Sequence, residues 1–167
     1  MRGSLYAQPG GGDNVDAAAK VFPADFIEAL NSFVARGGGY LGVCMGAYLA
    51  GREYFGLLDK TVEGQVNTHN FSVTDSADYV VPIQWGDTVR WTYFQEGAQL
   101  PDGATETYAL YETGDVAAAY YAFGNGGVAL IGPHPEADPS WFEAAGLSDP
   151  DGDDWSYALP LVRRVLH

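Results

Sequence analysis

The chain has little basic charge, one cysteine and no long hydrophobic run. Only 8 of its 167 residues are lysine or arginine, against 22 aspartates and glutamates, which gives a formal net charge of −14. Such a surface repels nucleic acid and anionic membranes, so neither is expected as a partner. No segment approaches the roughly 20 uninterrupted apolar residues that a membrane helix needs. The sequence therefore predicts a globular protein whose partner is neither nucleic acid nor lipid.

The scarcity of cysteine and histidine excludes further classes of protein. One cysteine cannot form an internal disulfide, and one cysteine with three histidines does not give the ligand spacing of a zinc site. No metal and no cofactor are predicted. Residues 1–4 look like an artificial leader, and residues 5–167 are predicted to form a single domain, long enough to bury a core. No compartment can be assigned, although the cytoplasm is favoured.

The cysteine itself is the most informative residue. Cys44 stands in Gly42-Val43-Cys44-Met45-Gly46, which follows an apolar pair and precedes a stretch of small residues. This pattern predicts a strand, a sharp turn and a helix, with Gly42 and Gly46 leaving room for a nucleophile elbow. The dipole and free N–H groups of a helix N-terminus favour a thiolate. A lone cysteine is equally typical of a small buried hydrophobe, and the rest of the sequence has to decide.

Two predicted parallel strands bring a second motif to the same place. Leu5–Gln8 reads as a strand that runs into Pro9-Gly10-Gly11-Gly12, and Pro23–Arg36 has the apolar spacing of a helix. A strand at Tyr40–Val43 completes a right-handed βαβ unit. Because sites form at the carboxyl ends of parallel strands, the glycine turn and Cys44 should meet. The alternative for the glycine turn is a flexible loop, and no Gly-Lys-Ser/Thr follows it as in a P-loop.

The pattern changes from about residue 62, where short alternating segments separated by turn residues predict antiparallel hairpins. These segments are Tyr79–Gln84, Thr88–Phe94, Thr107–Tyr111 and Ala117–Phe123. Asn125-Gly126 predicts a two-residue hairpin turn before a strand at Val128–Ile131. Short helices are expected at Pro139–Ala145 and Pro160–Leu166, and the acidic run Asp149–Asp154 is interpreted as a solvated turn.

A histidine between two prolines follows that strand. In Gly132-Pro133-His134-Pro135-Glu136-Ala137, an imidazole is held rigidly with a carboxylate two positions further on. This arrangement suits a general base and the group that orients it. The alternative is an ordinary loop after a strand. His69 could line a pocket, but its surroundings, Asn67 to Asn70, are more typical of a solvated loop.

Taken together and in this order, the motifs resemble the class I glutamine amidotransferase-like superfamily. Within it, the chain is most similar to the domain at the N-terminus of biotin–protein ligases. The resemblance implies an α/β, flavodoxin-like three-layer sandwich with a mostly parallel central sheet and an antiparallel β-hairpin insert. The segments that carry it are Pro9–Gly12, Tyr40–Ala50 and Ile131–Ala137.

The resemblance also implies a Cys-His-Glu triad. Cys44 would be the nucleophile, His134 its base and Glu136 the residue that orients His134. The backbone N–H of Met45 and one from Gly11 or Gly12 would form the oxyanion hole. The expected activity is that of a cysteine hydrolase or amidotransferase, acting on a small-molecule or peptide acyl substrate through a thioester.

Two departures from the family pattern leave other functions open. The usual first strand and helix are missing before the glycine turn, so we expect a truncated chain, a shorter variant, or a homodimer or second subunit that covers the exposed sheet edge. No synthetase domain accompanies the chain. The alternatives are therefore a catalytically silent binding or regulatory domain of a biotin–protein ligase-type system, and a redox-sensing thiol protein.

Overall fold

The computed structural model describes residues 4–167, so the predicted leader lies outside the described residues except for Ser4. The described chain contains five helices and nine strands. The helices are α1 (Val15–Ala19), α2 (Ala24–Ala35), α3 (Met45–Leu49), α4 (Pro139–Ala145) and α5 (Trp155–Val165). The strands are β1 (Leu5–Gln8), β2 (Gly39–Val43), β3 (Glu63–Gly64), β4 (Tyr79–Trp85), β5 (Thr88–Phe94), β6 (Ala98–Gln99), β7 (Glu106–Tyr111), β8 (Val116–Phe123) and β9 (Gly126–Ile131).

Seven of the strands form one sheet in the order β1-β2-β9-β8-β7-β4-β5. Strands β1, β2 and β9 are parallel, as the βαβ unit predicts. The other four neighbouring pairs are antiparallel. The prediction of a mostly parallel sheet with a separate hairpin insert is therefore wrong. The predicted hairpins exist, but β8 turns directly into β9 and hydrogen-bonds to it, so the hairpin strands extend the main sheet. The flavodoxin-like assignment stays a prediction.

Helices pack on both faces of the parallel strands. Helix α2 contacts β2 and β9, and buries Leu30 and Val34 in a cluster that also includes Tyr40 and Leu49. Helix α5 contacts β2, β8 and β9 on the other face through a second cluster. Two apolar layers thus hold the parallel strands rigidly, which fixes the ends where Cys44 and His134 lie. None of the helices within residues 4–167 has the length and apolar character to cross a membrane.

Three local predictions need correction. The loop between β8 and β9 is Gly124-Asn125, because Phe123 pairs with Gly126; Gly124 takes the positive φ of 59° that the turn requires. Helix α5 begins at Trp155, so Pro160 lies inside it and not at its start. Helix α1 was not predicted, although the Asn14 side chain caps it by accepting a hydrogen bond from Ala17 N at 2.8 Å.

The acidic run between α4 and α5 binds the side chain of Arg90, which belongs to β5. The guanidinium of Arg90 donates to Asp154 Oδ1 at 3.0 Å and to the carbonyl oxygen of Asp151 at 2.6 Å. Asp154 is only 5% exposed, and burial raises its pKa despite the opposing effect of Arg90. The prediction of a solvated turn therefore holds for Gly152 and Asp153, which are exposed, but not for Asp154, which fastens the start of α5 to the edge strand β5 through Arg90.

We expect Arg90→Ala to lower the free energy of unfolding by about 2 to 3 kcal/mol, because Asp154 would keep a buried carboxylate without its partner. Urea denaturation measures the change. The control is Arg52→Ala, which removes an exposed ion pair with Glu53 and should leave stability unchanged. Equal losses in the two variants would contradict a structural role for the buried pair.

Candidate functional site

Cys44 lies at the sharp turn that the sequence predicts, between β2 and α3. Its φ of 49° and ψ of −107° form a strained conformation that non-glycine residues rarely adopt. The two flanking glycines are required by close approaches. A Cβ on Gly46 would lie 2.1 Å from the carbonyl oxygen of Gln8, and one on Gly42 would lie 2.4 Å from that of Gly46. Only glycine therefore lets α3 pack this closely against β1.

The glycine turn after β1 meets Cys44, as predicted from the parallel strands. A Cβ placed on Gly10 would lie 3.3 Å from Cys44 Cβ and 2.8 Å from His134 Cε1. The carboxyl ends of β1, β2 and β9 therefore meet around Gly10. The three segments that were selected from the sequence converge at one edge of the sheet.

His134 is placed by the strand β5 and oriented by Glu136. Its backbone N–H donates to the carbonyl of Tyr93 at 2.8 Å, and its side chain is almost fully buried. Nδ1 is hydrogen-bonded to Glu136 Oε1 at 2.9 Å, so Nε2 is the ring nitrogen that this bond leaves free. Two rings pack against the imidazole, Tyr93 at 6.1 Å and Trp141 at 5.3 Å between ring centres. The imidazole is therefore held in one orientation.

The neighbours of His134 favour its charged form. Burial lowers its pKa, but the neighbouring Cys44 and Glu136 outweigh burial and raise the pKa from its ordinary value of 6.5 to about 10. An imidazolium beside a thiol and a carboxylate can stabilise a thiolate and later donate a proton. The hydrogen bond that Sγ of Cys44 makes goes to the carbonyl oxygen of Gln95, at 3.5 Å.

The raised pKa of His134 predicts a pH window for stability. Its ion pair with Glu136 contributes fully below pH 6.5 and is lost as the pH rises to about 10. We expect Glu136→Gln to destabilise the fold by about 1 kcal/mol at pH 6 and to have no effect above pH 10. Denaturation at several pH values tests this, with the exposed Asp87→Asn as a control that should give no trend. A Glu136→Gln effect independent of pH would refute the assignment.

A cavity of about 600 Å³ opens above Cys44. Gly11, Gly12 and Met45 line it, and their N–H groups donate no hydrogen bond to any described residue. These are the donors that were predicted for an oxyanion hole. His69 is exposed and does not line the cavity, so its interpretation as a loop residue holds. Within residues 4–167, no group of three or more His, Cys, Asp or Glu side chains is arranged to hold a metal ion.

The cavity is also lined by Tyr48 and Glu96, to which sequence reasoning gave no role at the site. Tyr48 of α3 donates from its hydroxyl to the carbonyl of Glu96 at 2.7 Å, and Glu96 has a φ of 45°. This bond fixes the segment Gln95–Gly97 over Cys44. Trp141 lies at the rim and is 40% exposed. Nothing local in the sequence indicates that the chain after β5 turns back across the cavity. Tyr48, in contrast, could have been identified as a cavity residue, because it lies one helical turn after Cys44.

The comparisons with known proteins agree with this geometry. Residues 2–70 match the family model described as "Biotin-protein ligase, N terminal". That segment includes the glycine turn and Cys44 but ends before His134. No match to the chain was found among curated proteins.

Among solved structures, one described as a glutamine amidotransferase superimposes with a TM-score of 0.59 at 18% identity, over 86% of this chain and 79% of that one. A β-galactosidase from Bacillus circulans sp. alkalophilus superimposes with a TM-score of 0.51 at 14% identity, over 97% of this chain but only 22% of the enzyme. At these identities the matches establish the fold alone. The chain thus has the fold of the matched glutamine amidotransferase structure, and its residues 2–70 are similar to the biotin–protein ligase N-terminal family.

Proposed function

We propose that the chain is a cysteine-dependent hydrolase or amidotransferase-like enzyme that acts on an amide or related acyl substrate. The observation that carries this proposal is the meeting of three groups at one cavity. Cys44 lies in a strained turn at its base, His134 lies beside it, and Glu136 bonds the far nitrogen of His134. This arrangement of nucleophile, base and orienting carboxylate is the one that acyl transfer requires.

In the proposed reaction, the thiolate of Cys44 attacks the carbonyl carbon and a C–S bond forms. The oxyanion accepts hydrogen bonds from Met45 N–H and from Gly11 or Gly12. The C–N bond then breaks, His134 donates its proton to the leaving amine, and a thioester remains. Water attacks the thioester, giving a proton to His134, and the C–S bond breaks to release the carboxylic acid and the thiolate.

Two further features support these roles. The N–H groups assigned to the oxyanion hole are not used by other described residues, so they are available to a substrate oxygen. The strained conformation of Cys44 supports the proposal of a nucleophile elbow, for which Gly42 and Gly46 would supply the space. Donors of this kind are worth roughly 100- to 1,000-fold in rate each.

A second candidate is a catalytically silent binding or regulatory domain of a biotin–protein ligase-type system. The match of residues 2–70 to that family favours it. In that case the cavity would bind a ligand without turnover, and Cys44 could be removed without loss of binding.

Hydrolysis of p-nitrophenyl acetate distinguishes the two candidates. The enzyme should release p-nitrophenol over many turnovers, and Cys44→Ala should reduce the rate to that of buffer. Thermal denaturation checks that the Cys44→Ala variant is folded and as stable as the wild type. If the wild-type protein gives no more than one turnover per Cys44, the hydrolase proposal fails and the binding domain becomes the better account.

A further inference from the structure

Two carboxylates line the cavity above Cys44, and no lysine or arginine is among the lining residues of the described chain. The carboxylates belong to Asp13 and Glu96, whereas the lining His134 is paired with Glu136 at 2.9 Å. Several basic side chains are engaged elsewhere, including Arg90 with Asp154 and Arg164 with Glu106. With a net charge of −14 on the whole chain, the cavity lies in a field that attracts cations and repels anions.

Glu96 is held at the cavity by specific contacts. Its positive φ of 45° is a strained conformation, and the Tyr48 hydroxyl bonds its carbonyl oxygen at 2.7 Å. The next residue, Gly97, could not carry a Cβ without meeting the carbonyl of Gly132 at 2.8 Å. The backbone at Glu96 is thus determined on both sides.

The negative charge of Glu96 acts inside the cavity. Burial, followed by the charges of Cys44, Glu96 and Glu63, raises the pKa of Tyr48 far above 10. A carboxylate that disfavours a phenolate at this position would favour a cation there for the same reason. The charge of His134, in contrast, is matched by the adjoining Glu136 and Cys44.

An aromatic face completes this part of the cavity. Trp141 lines the cavity and is 40% exposed, although it packs against His134 with 5.3 Å between ring centres. Indole is the side chain that binds cations best through its π face. A partly exposed tryptophan in a cavity that two carboxylates also line suits an ammonium group better than a carboxylate.

We propose that the cavity selects cationic ligands, and that the substrate is an amide or ester with an ammonium group on its acyl part. The carbonyl would lie at Cys44, and the ammonium would face Glu96, Asp13 and Trp141. The identification of this ligand as a substrate rests on the proposed function. The selection of charge does not, because it can be measured with thiol reagents alone.

Two thiosulfonate reagents of opposite charge test the selection. In each, the thiolate attacks the sulfenyl sulfur and methanesulfinate leaves, so the reactions differ mainly in the charge delivered. We expect trimethylammonium-ethyl methanethiosulfonate to modify Cys44 at least about 10-fold faster than the sulfonatoethyl reagent, relative to the ratio for β-mercaptoethanol. The ratio should fall as salt is added. A ratio equal to that of β-mercaptoethanol would overturn the inference.

Matched variants separate the cavity from the overall charge. Glu96→Gln and Asp13→Asn should each reduce the cation preference about threefold or more at low salt, and the double variant should reduce it further. The control, Asp87→Asn, removes the same charge at the turn between β4 and β5, the opposite end of that hairpin from Tyr93. A control variant that reduces the ratio as much as the other two would overturn the inference, since net charge alone would then explain it.

Three amides of similar size test the substrate class. We expect kcat/KM for ammonia release to be highest for 4-aminobutyramide, lower for butyramide and lowest for succinamate. Glu96→Gln should reduce the advantage of the cationic amide over butyramide. If none of the three is cleaved but the thiosulfonate ratio favours the cation, the assignment of the ligand as substrate fails and the selection of charge stands. A preference for succinamate would contradict both.

Discussion

Replacing His134 with alanine is expected to lower the turnover of p-nitrophenyl acetate by about 100- to 10,000-fold. The physical reason is that His134 would perform two proton transfers, one to the leaving group and one from water. It also supplies the positive charge next to Cys44, since its pKa is raised to about 10 by Cys44 and Glu136 against the effect of burial. Steady-state release of p-nitrophenol measures the loss.

A matched control is available in the chain. His69→Ala removes an exposed histidine that does not line the cavity, and it should retain full turnover. Alkylation of Cys44 by iodoacetamide gives a second readout that needs no substrate. It should slow about 10-fold or more at pH 7 in His134→Ala, because an unassisted thiol is only a few per cent ionised at that pH. Equal alkylation rates in wild type, His134→Ala and His69→Ala would contradict the proposed pairing.

Replacing Gly46 with alanine is expected to lower the free energy of unfolding by about 4 kcal/mol or more. In most helices this change is favourable, because alanine has the higher helix propensity. Here the new Cβ would lie 2.1 Å from the carbonyl oxygen of Gln8. Neither side can move easily, since β1 is bonded to β2 along its length and α3 packs on both strands.

A second glycine isolates the cause of that loss. Gly152 has a φ of 86° and open space around its Cβ position, so Gly152→Ala introduces backbone strain without a steric clash. We expect it to cost about 1 to 2 kcal/mol. Urea denaturation of both variants gives the comparison. If Gly46→Ala were no more destabilising than Gly152→Ala, the close approach of α3 and β1 could not be what requires glycine at the turn.

The convergence of the candidate site could be predicted from the sequence because it depends on local patterns and one rule of topology. The two glycines around Cys44 and the glycine turn after β1 each specify a backbone geometry by themselves. The right-handed βαβ connection then places the ends of β1 and β2 together. His134 joins them because β9 pairs with β2 in parallel.

The pairing of the hairpin strands could not be predicted in the same way. Alternating residues identify a strand but do not name its neighbour, since any strand with a buried face satisfies the pattern. In the structure, the main sheet continues through β7, β4 and β5. The sequence pattern is equally compatible with a separate insert. The consequence reaches the site, because the end of β5 positions His134 and leads into Glu96.

Long-range polar contacts also escape sequence reasoning. The Arg90 side chain reaches Asp154, 64 positions away, and the Tyr48 hydroxyl bonds the carbonyl of Glu96, 48 positions away. No local pattern encodes these pairs.

The most direct test of the proposed acyl transfer is the mass of Cys44 during turnover. The protein is mixed with p-nitrophenyl acetate, quenched in acid within the time of a single turnover, and digested for mass spectrometry. We expect an acetyl thioester on the peptide that contains Cys44, which disappears when the substrate is exhausted. Steady turnover without that adduct, or with the acetyl group on another residue, would contradict acyl transfer through Cys44.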